Sequence, residues 1–271
     1  MPELPEVETT RRGISPALEG ARVLDMVIRE RRLRWPIPAQ LEERMRGQMI
    51  RSVSRRAKYL LLETANGSAI IHLGMSGSMR IVTADSPPER HDHFDIVTDH
   101  GDIVRFNDPR RFGSLLWAGA DPYQHPLLAK LGPEPLGPEF TAEYLWNASR
   151  GRRVAIKQHI MNSKTVAGVG NIYANEALFN AGIHPARAAG RIAMPRMQNL
   201  VAEIRAVLAA AIRQGGTTLR DYRGGDGKPG YFKQKLVVYE RGGEDCKHCG
   251  EPIRQTVQGQ RATYYCKNCQ R

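Results

Sequence analysis

The sequence has no apolar run near the roughly 18 residues a membrane span needs. It also has no export signal: Glu3, Glu6 and Glu8 all precede the first basic residue, Arg11, whereas a secretory leader opens on positive charge. Cysteine is missing from the first 245 positions, which excludes a disulfide framework across the body of the chain. There is no internal repeat and no low-complexity tract, so solenoids and arrays are excluded. Acidic residues are in deficit, 28 Asp and Glu against 40 Lys and Arg, leaving a net charge of +12. With an isoelectric point near 9.8, that balance points to a polyanionic partner, most often nucleic acid. A cytoplasmic protein is expected. The 271 residues, 41% of them hydrophobic, suffice for two medium domains, or for one domain with small modules, around a proper core.

The pattern then divides the chain. Residues 5–19 read as a helix, with Leu4, Val7, Ile14 and Leu18 near one face and Gly20 as its stop. Eight short β-rich segments follow: 22–29, 49–54, 59–63, 69–73, 79–82, 94–98, 103–107 and 114–118. Turns such as Asn66-Gly67 and Asp99-His100-Gly101 separate them. One helix followed by eight strands predicts an antiparallel sandwich or barrel. At Leu131-Gly132-Pro133-Glu134-Pro135-Leu136-Gly137-Pro138 the strands end, and the segment reads as a linker. Helical patterns take over at 141–149, 152–162, 171–181 and 195–214. The Gly-rich stretch 217–230 reads as a long loop, either disordered or a functional lid.

All four cysteines lie near the C-terminus, as Cys246-x2-Cys249 and Cys266-x2-Cys269. This is zinc-ribbon spacing, two knuckles whose thiolates converge on one tetrahedral ion. Four thiolates leave no open coordination position, so the expected zinc is structural. A module this small needs the ion in order to fold. Between the knuckles, Val257–Tyr265 reads as a hairpin with Arg261 near its turn, as a solvated surface arginine or as a probe for phosphate.

The first residues, Met1-Pro2-Glu3-Leu4-Pro5-Glu6, admit two readings. Prolines and glutamates are favoured at a helix start, which would make them purely structural. Alternatively, removal of Met1 ahead of a small residue leaves Pro2 with a free secondary amine. Such an amine attacks a carbonyl-like carbon and forms an iminium, with Glu3 placed to move a proton.

Three motifs taken together carry a family resemblance: Met1-Pro2-Glu3-Leu4-Pro5-Glu6-Val7-Glu8-Thr9, then Gly168-Val169-Gly170-Asn171-Ile172-Tyr173-Ala174, then Gln260-Arg261-Ala262-Thr263 inside the four-cysteine finger. In that order, across the whole chain, they resemble the formamidopyrimidine-DNA glycosylases of bacterial base-excision repair. The resemblance implies an α+β protein in four parts. These are an N-terminal helix with a β-sandwich (1–130), a linker and first helix (131–150), a helix–two-turn–helix domain with a lesion lid at 217–230 (151–230), and a zinc finger (231–271). It implies excision of 8-oxoguanine opposite cytosine and of formamidopyrimidines, followed by strand cleavage through β- and δ-elimination, by a monomer acting on double-stranded DNA.

The same resemblance distributes roles. Pro2 is the nucleophile, Glu3 the general acid and Glu6 a supporting carboxylate. Lys58 belongs to the active site, and Arg261 grips the phosphates flanking the lesion. Met75, Arg110 and Phe112 fill the gap left by an extruded base, with Arg110 facing the orphaned cytosine. His91, Arg152, Lys157 and Asn171 contact the DNA backbone, and Thr217–Tyr222 lie near the flipped base. Two alternatives share parts of this pattern: an endonuclease VIII-like enzyme for oxidised pyrimidines, and a DNA-binding relative without catalysis.

Overall fold

The computed structural model describes residues 2–217 and 232–271, the side chain of Lys233 apart. The remainder of the expected lid, 218–230, lies outside the described residues. Among the described residues, one compact unit comprises 2–130 together with 214–217, and the other 131–213 together with 232–271. No helix among them is long and apolar enough to cross a membrane.

The first unit opens on helix α1 (Leu4–Leu18). Eight strands follow: β1 (Val23–Ile28), β2 (Ser52–Arg56), β3 (Tyr59–Thr64), β4 (Gly67–His72), β5 (Ser78–Val82), β6 (Asp92–Thr98), β7 (Ile103–Asn107) and β8 (Ser114–Ala118). They form two antiparallel four-stranded sheets, ordered β1-β6-β7-β5 and β2-β3-β4-β8. Their apolar residues share one core, which includes Leu60, Leu62, Ile71, Phe94, Ile96 and Phe106. Phe94 and Phe106 stack within it at 4.8 Å between ring centroids. α1 contributes Val7, Ile14 and Leu18 to that core at helical spacing, so one face of the helix is fixed against the strands. The five-residue helix α2 (Leu41–Met45) buries Leu41 and Met45 and has too few turns to announce itself by periodicity.

The second unit has four helices, α3 (Ala142–Ser149), α4 (Ile156–Met161), α5 (Asn171–Asn180) and α6 (Met194–Arg213). α6 turns Leu200, Val201, Ile204, Val207, Leu208 and Ala211 inward, against α3 and α5. The proline-rich stretch at 131–138 is docked on this unit. Gly132 N–H donates to the Ser163 carbonyl at 2.8 Å, and Ala167 N–H donates to that of Pro133 at 3.0 Å. A Cβ at Gly132 would meet the Thr165 carbonyl at 2.6 Å, so only glycine allows the approach. The finger is a hairpin of β9 (Arg254–Gln258) and β10 (Arg261–Tyr265). Gly259 and Gln260 make its two-residue turn, both at positive φ (54° and 61°), as a hairpin turn matching strand twist requires.

Candidate active site and nucleic-acid interface

The start of α1 is held from within. Glu3 is the N-cap, and Glu3 and Glu6 form a reciprocal capping box. Glu3 N–H donates to Glu6 Oε2 at 2.8 Å. The other oxygen of Glu6 accepts the N–H of Thr217 at 2.8 Å. Gly216, at φ +81°, makes this possible: a Cβ there would sit 2.9 Å from Glu6 Oε1. Glu6 thus ties both the chain start and the entry to the 217–230 stretch, two segments more than 200 residues apart in sequence. Pro2, Glu3 and Glu6 are all buried.

Lys58 stands in the two-residue turn between β2 and β3, flanked by the Arg56–Tyr59 pair. The sequence reading set it at the opening of a strand and ended the preceding strand at 54. The difference arises because Ala57 takes φ 54°, a left-handed conformation usually reserved for glycine or asparagine. Its carbonyl accepts from Arg55 Nη1 at 2.8 Å, and Arg55 Nε reaches Glu8 of α1 at 3.2 Å. Glu8 also receives Arg11 and Arg12. Burial opposes its charge, but hydrogen bonds and charge from these arginines outweigh burial and bring its carboxyl down to about 2. A line of charge-assisted bonds therefore runs from α1 to the turn that carries Lys58. Next to it, His72 is pulled down to about 4, first by burial and then by the charges of Lys58 and Arg34. Neutral His72 accepts the Gly74 N–H on Nδ1 at 2.9 Å.

Met75, Arg110 and Phe112 come from two loops that touch backbone to backbone. A Cβ on Gly74 would lie 2.4 Å from both Gly113 N and the Phe112 carbonyl carbon. Arg110 and Phe112 are exposed, Phe112 at 44%, and the guanidinium lies 4.9 Å over the ring. Fully buried Asp108 organises both loops from beneath. Oδ1 accepts from Ser76 Oγ at 2.6 Å and from Arg110 N–H at 3.2 Å. Oδ2 accepts from Gly113 N–H at 2.7 Å. Sequence reasoning missed Asp108 and Ser76; the Asp-Pro turn signal at 108–109 marked the place without revealing the function. His91 is half-buried at the base of the same loop, where its carbonyl accepts the Asp108 N–H.

In the second unit, Arg261 is exposed at the hairpin end while its surroundings are tightly bound. The carbonyl of the next residue, Ala262, accepts from Lys157 Nζ at 2.9 Å and from Asn171 Nδ2 at 3.0 Å. Lys157 also donates to Thr263 Oγ1 at 2.7 Å. The residue is 1% exposed. The sequence reading gave Lys157 a direct phosphate contact; in the structure the ammonium is spent on the finger, because α4 aims it inward beneath the hairpin. Two further residues, unnoticed in the sequence, complete the clamp. Asn175 Oδ1 accepts the Tyr264 N–H at 2.8 Å. Buried Glu176 accepts three consecutive main-chain N–H groups, from Val237, Val238 and Tyr239, at 2.8 to 3.0 Å. Burial pushes the Glu176 carboxyl up, against the pull of these donors. Arg152 is exposed at the edge of a cavity in the same unit.

The sulfurs of Cys246, Cys249, Cys266 and Cys269 lie within 4.8 Å of one another. Cys246 to Cys269 is 3.8 Å and Cys249 to Cys266 is 3.5 Å. A zinc–sulfur bond of about 2.3 Å gives a tetrahedron of edge about 3.8 Å, so the four residues fit zinc. Both knuckles close with the same main-chain bond, Gly250 N–H to the Cys246 carbonyl and Gln270 N–H to that of Cys266.

A capped helix with a buried proline at its head, a domain of two antiparallel sheets and a hairpin beside four cysteines that fit zinc are features of a class of DNA repair glycosylases. Family models agree along the chain: the formamidopyrimidine-DNA glycosylase N-terminal domain matches residues 1–115. The H2TH domain of the same family matches 131–223, and the zinc finger found in FPG and IleRS matches 243–271. The formamidopyrimidine-DNA glycosylases of Stutzerimonas stutzeri and Methylococcus capsulatus are each 58% identical over 271 residues, covering the whole of both chains. Among solved structures, a Lactococcus lactis Fpg in complex with an abasic site containing DNA superposes with a TM-score of 0.92 at 32% identity, over 100% of both chains. The FPG protein of Thermus thermophilus gives 0.89 at 37% identity, over 99% of this chain and 98% of that one. The chain belongs to the formamidopyrimidine-DNA glycosylase family.

Proposed function

We propose that the protein is a bifunctional DNA glycosylase and abasic-site lyase of base-excision repair, acting on 8-oxoguanine opposite cytosine and on formamidopyrimidines in double-stranded DNA. The observation that carries the catalytic reading is the start of α1, where Glu6 holds the Glu3 main chain at 2.8 Å one residue after Pro2. With Met1 removed, the Pro2 amine attacks C1′ of the damaged nucleoside. Burial disfavours the charged form of an amine and so favours the nucleophile. The base departs with the electron pair of its glycosidic bond and takes up a proton. Glu3 protonates the sugar ring oxygen, the C1′–O4′ bond opens, and C1′ becomes an iminium joined to Pro2. Loss of a C2′ proton, with Lys58 in the transfer, expels the 3′ phosphate; a second elimination, assisted by Arg261, expels the 5′ phosphate.

Extrusion of the lesion leaves a gap in the duplex. Met75 and Phe112 fill it, and Arg110 hydrogen-bonds the orphaned cytosine. His91, Arg152 and Asn171 hold backbone phosphates, which positions the duplex without reading sequence. Lys157 serves the same end indirectly, by fixing the hairpin of Arg261. Zinc, when bound, holds the finger and performs no chemistry. The protein works as a monomer in the cytoplasm; sedimentation at the mass of one chain, 30.3 kDa, checks the first point.

The test is borohydride trapping on a duplex carrying 8-oxoguanine opposite cytosine. Borohydride reduces the iminium to a stable amine and gives a covalent adduct. The adduct is expected from zinc-loaded protein lacking Met1 and is expected to vanish when Met1 is retained. Glu3→Gln is expected to block base release. Zinc-loaded, correctly processed protein that yields no adduct overturns the lyase assignment.

A further inference from the structure

A cavity of about 360 Å³ in the second unit lies outside everything described above except at its edge, where Arg152 stands. Tyr144 of α3, Val154, His159 of α4, Asn162 and Lys164 are among its other lining residues. One of these lining residues is unsatisfied: His159 is 6% exposed, and its Nε2 is buried without a hydrogen-bond partner among the described residues. Leaving such an atom unpaired is costly, so the site calls for a ligand. Burial, and after it the Arg152 charge, depress the imidazole's basicity, so the ring is neutral at physiological pH and can offer Nε2–H as a donor.

The mouth is cationic. Arg152 and Lys164 are both exposed there, and among the described residues no acidic group forms an ion pair with either. No carboxylate lines the cavity, so a metal cation would meet two positive charges and no anionic ligand. The neighbouring polar groups are already directed elsewhere. Tyr144 Oη donates to the Thr165 carbonyl at 2.9 Å, and Asn162 Oδ1 accepts the Lys164 N–H at 3.0 Å. That bond turns the Asn162 amide so that its NH₂ remains to donate. The arrangement supplies donors and positive charge, the complement of a compact oxyanion. We infer that this cavity is an anion site for a single phosphoryl group, seated on His159 Nε2–H between Arg152 and Lys164. It deepens the function proposed above, in which Arg152 holds a backbone phosphate, by adding His159 and Lys164 to that contact, and it needs none of the catalytic steps.

The phosphoryl group can come from a DNA backbone or from a free phosphate compound, and the experiment separates them. Inorganic phosphate is titrated into full-length, zinc-loaded protein at constant ionic strength with chloride as the balance. The readouts are the thermal midpoint and the ¹⁵N shift of the His159 ring. A saturable response half-complete at about millimolar phosphate is expected. It should be lost in His159→Leu and weakened about three- to tenfold in Lys164→Met, a surface change that leaves the core untouched. If a DNA phosphate is the occupant, inorganic phosphate displaces undamaged duplex, and Lys164→Met lowers the slope of log affinity against log salt by about one. If a free phosphate compound is the occupant, duplex affinity is the same in Lys164→Met, and phosphate binds equally to the DNA complex. A response that never saturates, or one that both variants retain in full, overturns the inference.

Discussion

Two exposed groups of side chains are supported in opposite ways. Arg261 rides on a hairpin fixed by a four-sulfur metal site and, independently, by Lys157, Asn171 and Asn175, while Glu176 fixes the 237–239 segment that leads into the finger. Met75, Arg110 and Phe112 ride on two loops whose mutual fit rests largely on one carboxylate, that of Asp108. The first support is redundant and the second is concentrated. The roles proposed above account for the difference: a phosphate grip would have to resist pull from a charged polymer, which favours many anchors, and a wedge would have to enter a base stack, which favours loops that can adjust above a fixed base.

The predictions probe this contrast, from the largest effect downward. Chelating the metal removes about 10 kcal/mol or more of folding free energy from the finger, and Cys246→Ser, which takes one of the four thiolates, removes part of it. Strand cleavage is expected to disappear, with zinc release and a cleavage gel as the paired measurements. Asp108→Ala removes the acceptor of Ser76 Oγ and Gly113 N–H and leaves Arg110 N–H only its bond to Ser76 Oγ at 3.3 Å. A shift of the wedge by about 1 Å costs on the order of 100-fold in rate, so excision should fall by that order and the preference for cytosine should fade. Kinetics on lesions opposite C and opposite A check both points.

Glu176→Gln keeps one acceptor and removes a charge that serves three N–H groups. With the metal and three other anchors intact, a loss of about 1 kcal/mol, or about fivefold in cleavage rate, is expected. A collapse as deep as that of the cysteine variant would refute the redundancy. The last prediction concerns pH and stability, with no change in cleavage expected at neutral pH. Glu8, held at about 2 against an ordinary 4.5, contributes stability that is fully present above 4.5 and lost as pH falls toward 2. Glu8→Gln should therefore flatten the acid limb of the unfolding curve while leaving its alkaline side unchanged.

Much of this architecture was legible beforehand. Seven of the eight strands and the four longer helices stand, within a few residues at their ends, where period and turn chemistry put them, because one buried face per element leaves its mark at short range. The cysteines were legible through spacing alone. α2 is too short to show a period, and β2 is displaced because nothing in Arg56-Ala57-Lys58-Tyr59 signals a turn. The deeper omissions share another cause. Asp108, Asn175 and Glu176 act on partners tens of residues away, and a carboxylate that binds main-chain N–H groups looks in sequence like any surface acid. Lys157 was given its phosphate contact by resemblance, which carries a role but not a side-chain direction, and only packing shows it turned inward. Pro2, Glu3 and Arg261 each admitted a structural and a chemical reading, and only the family resemblance chose between them, since their chemistry depends on neighbours brought by folding.

The Ala262 carbonyl receives one donor from α4 and another from α5. Mechanically, an oxygen held from two directions is a pivot. The guanidinium one residue earlier can swing about that point through its own torsions, but it cannot slide along the strand without breaking two bonds together. Its reach is therefore a short arc of fixed centre, and a substrate phosphate outside that arc must come to the protein.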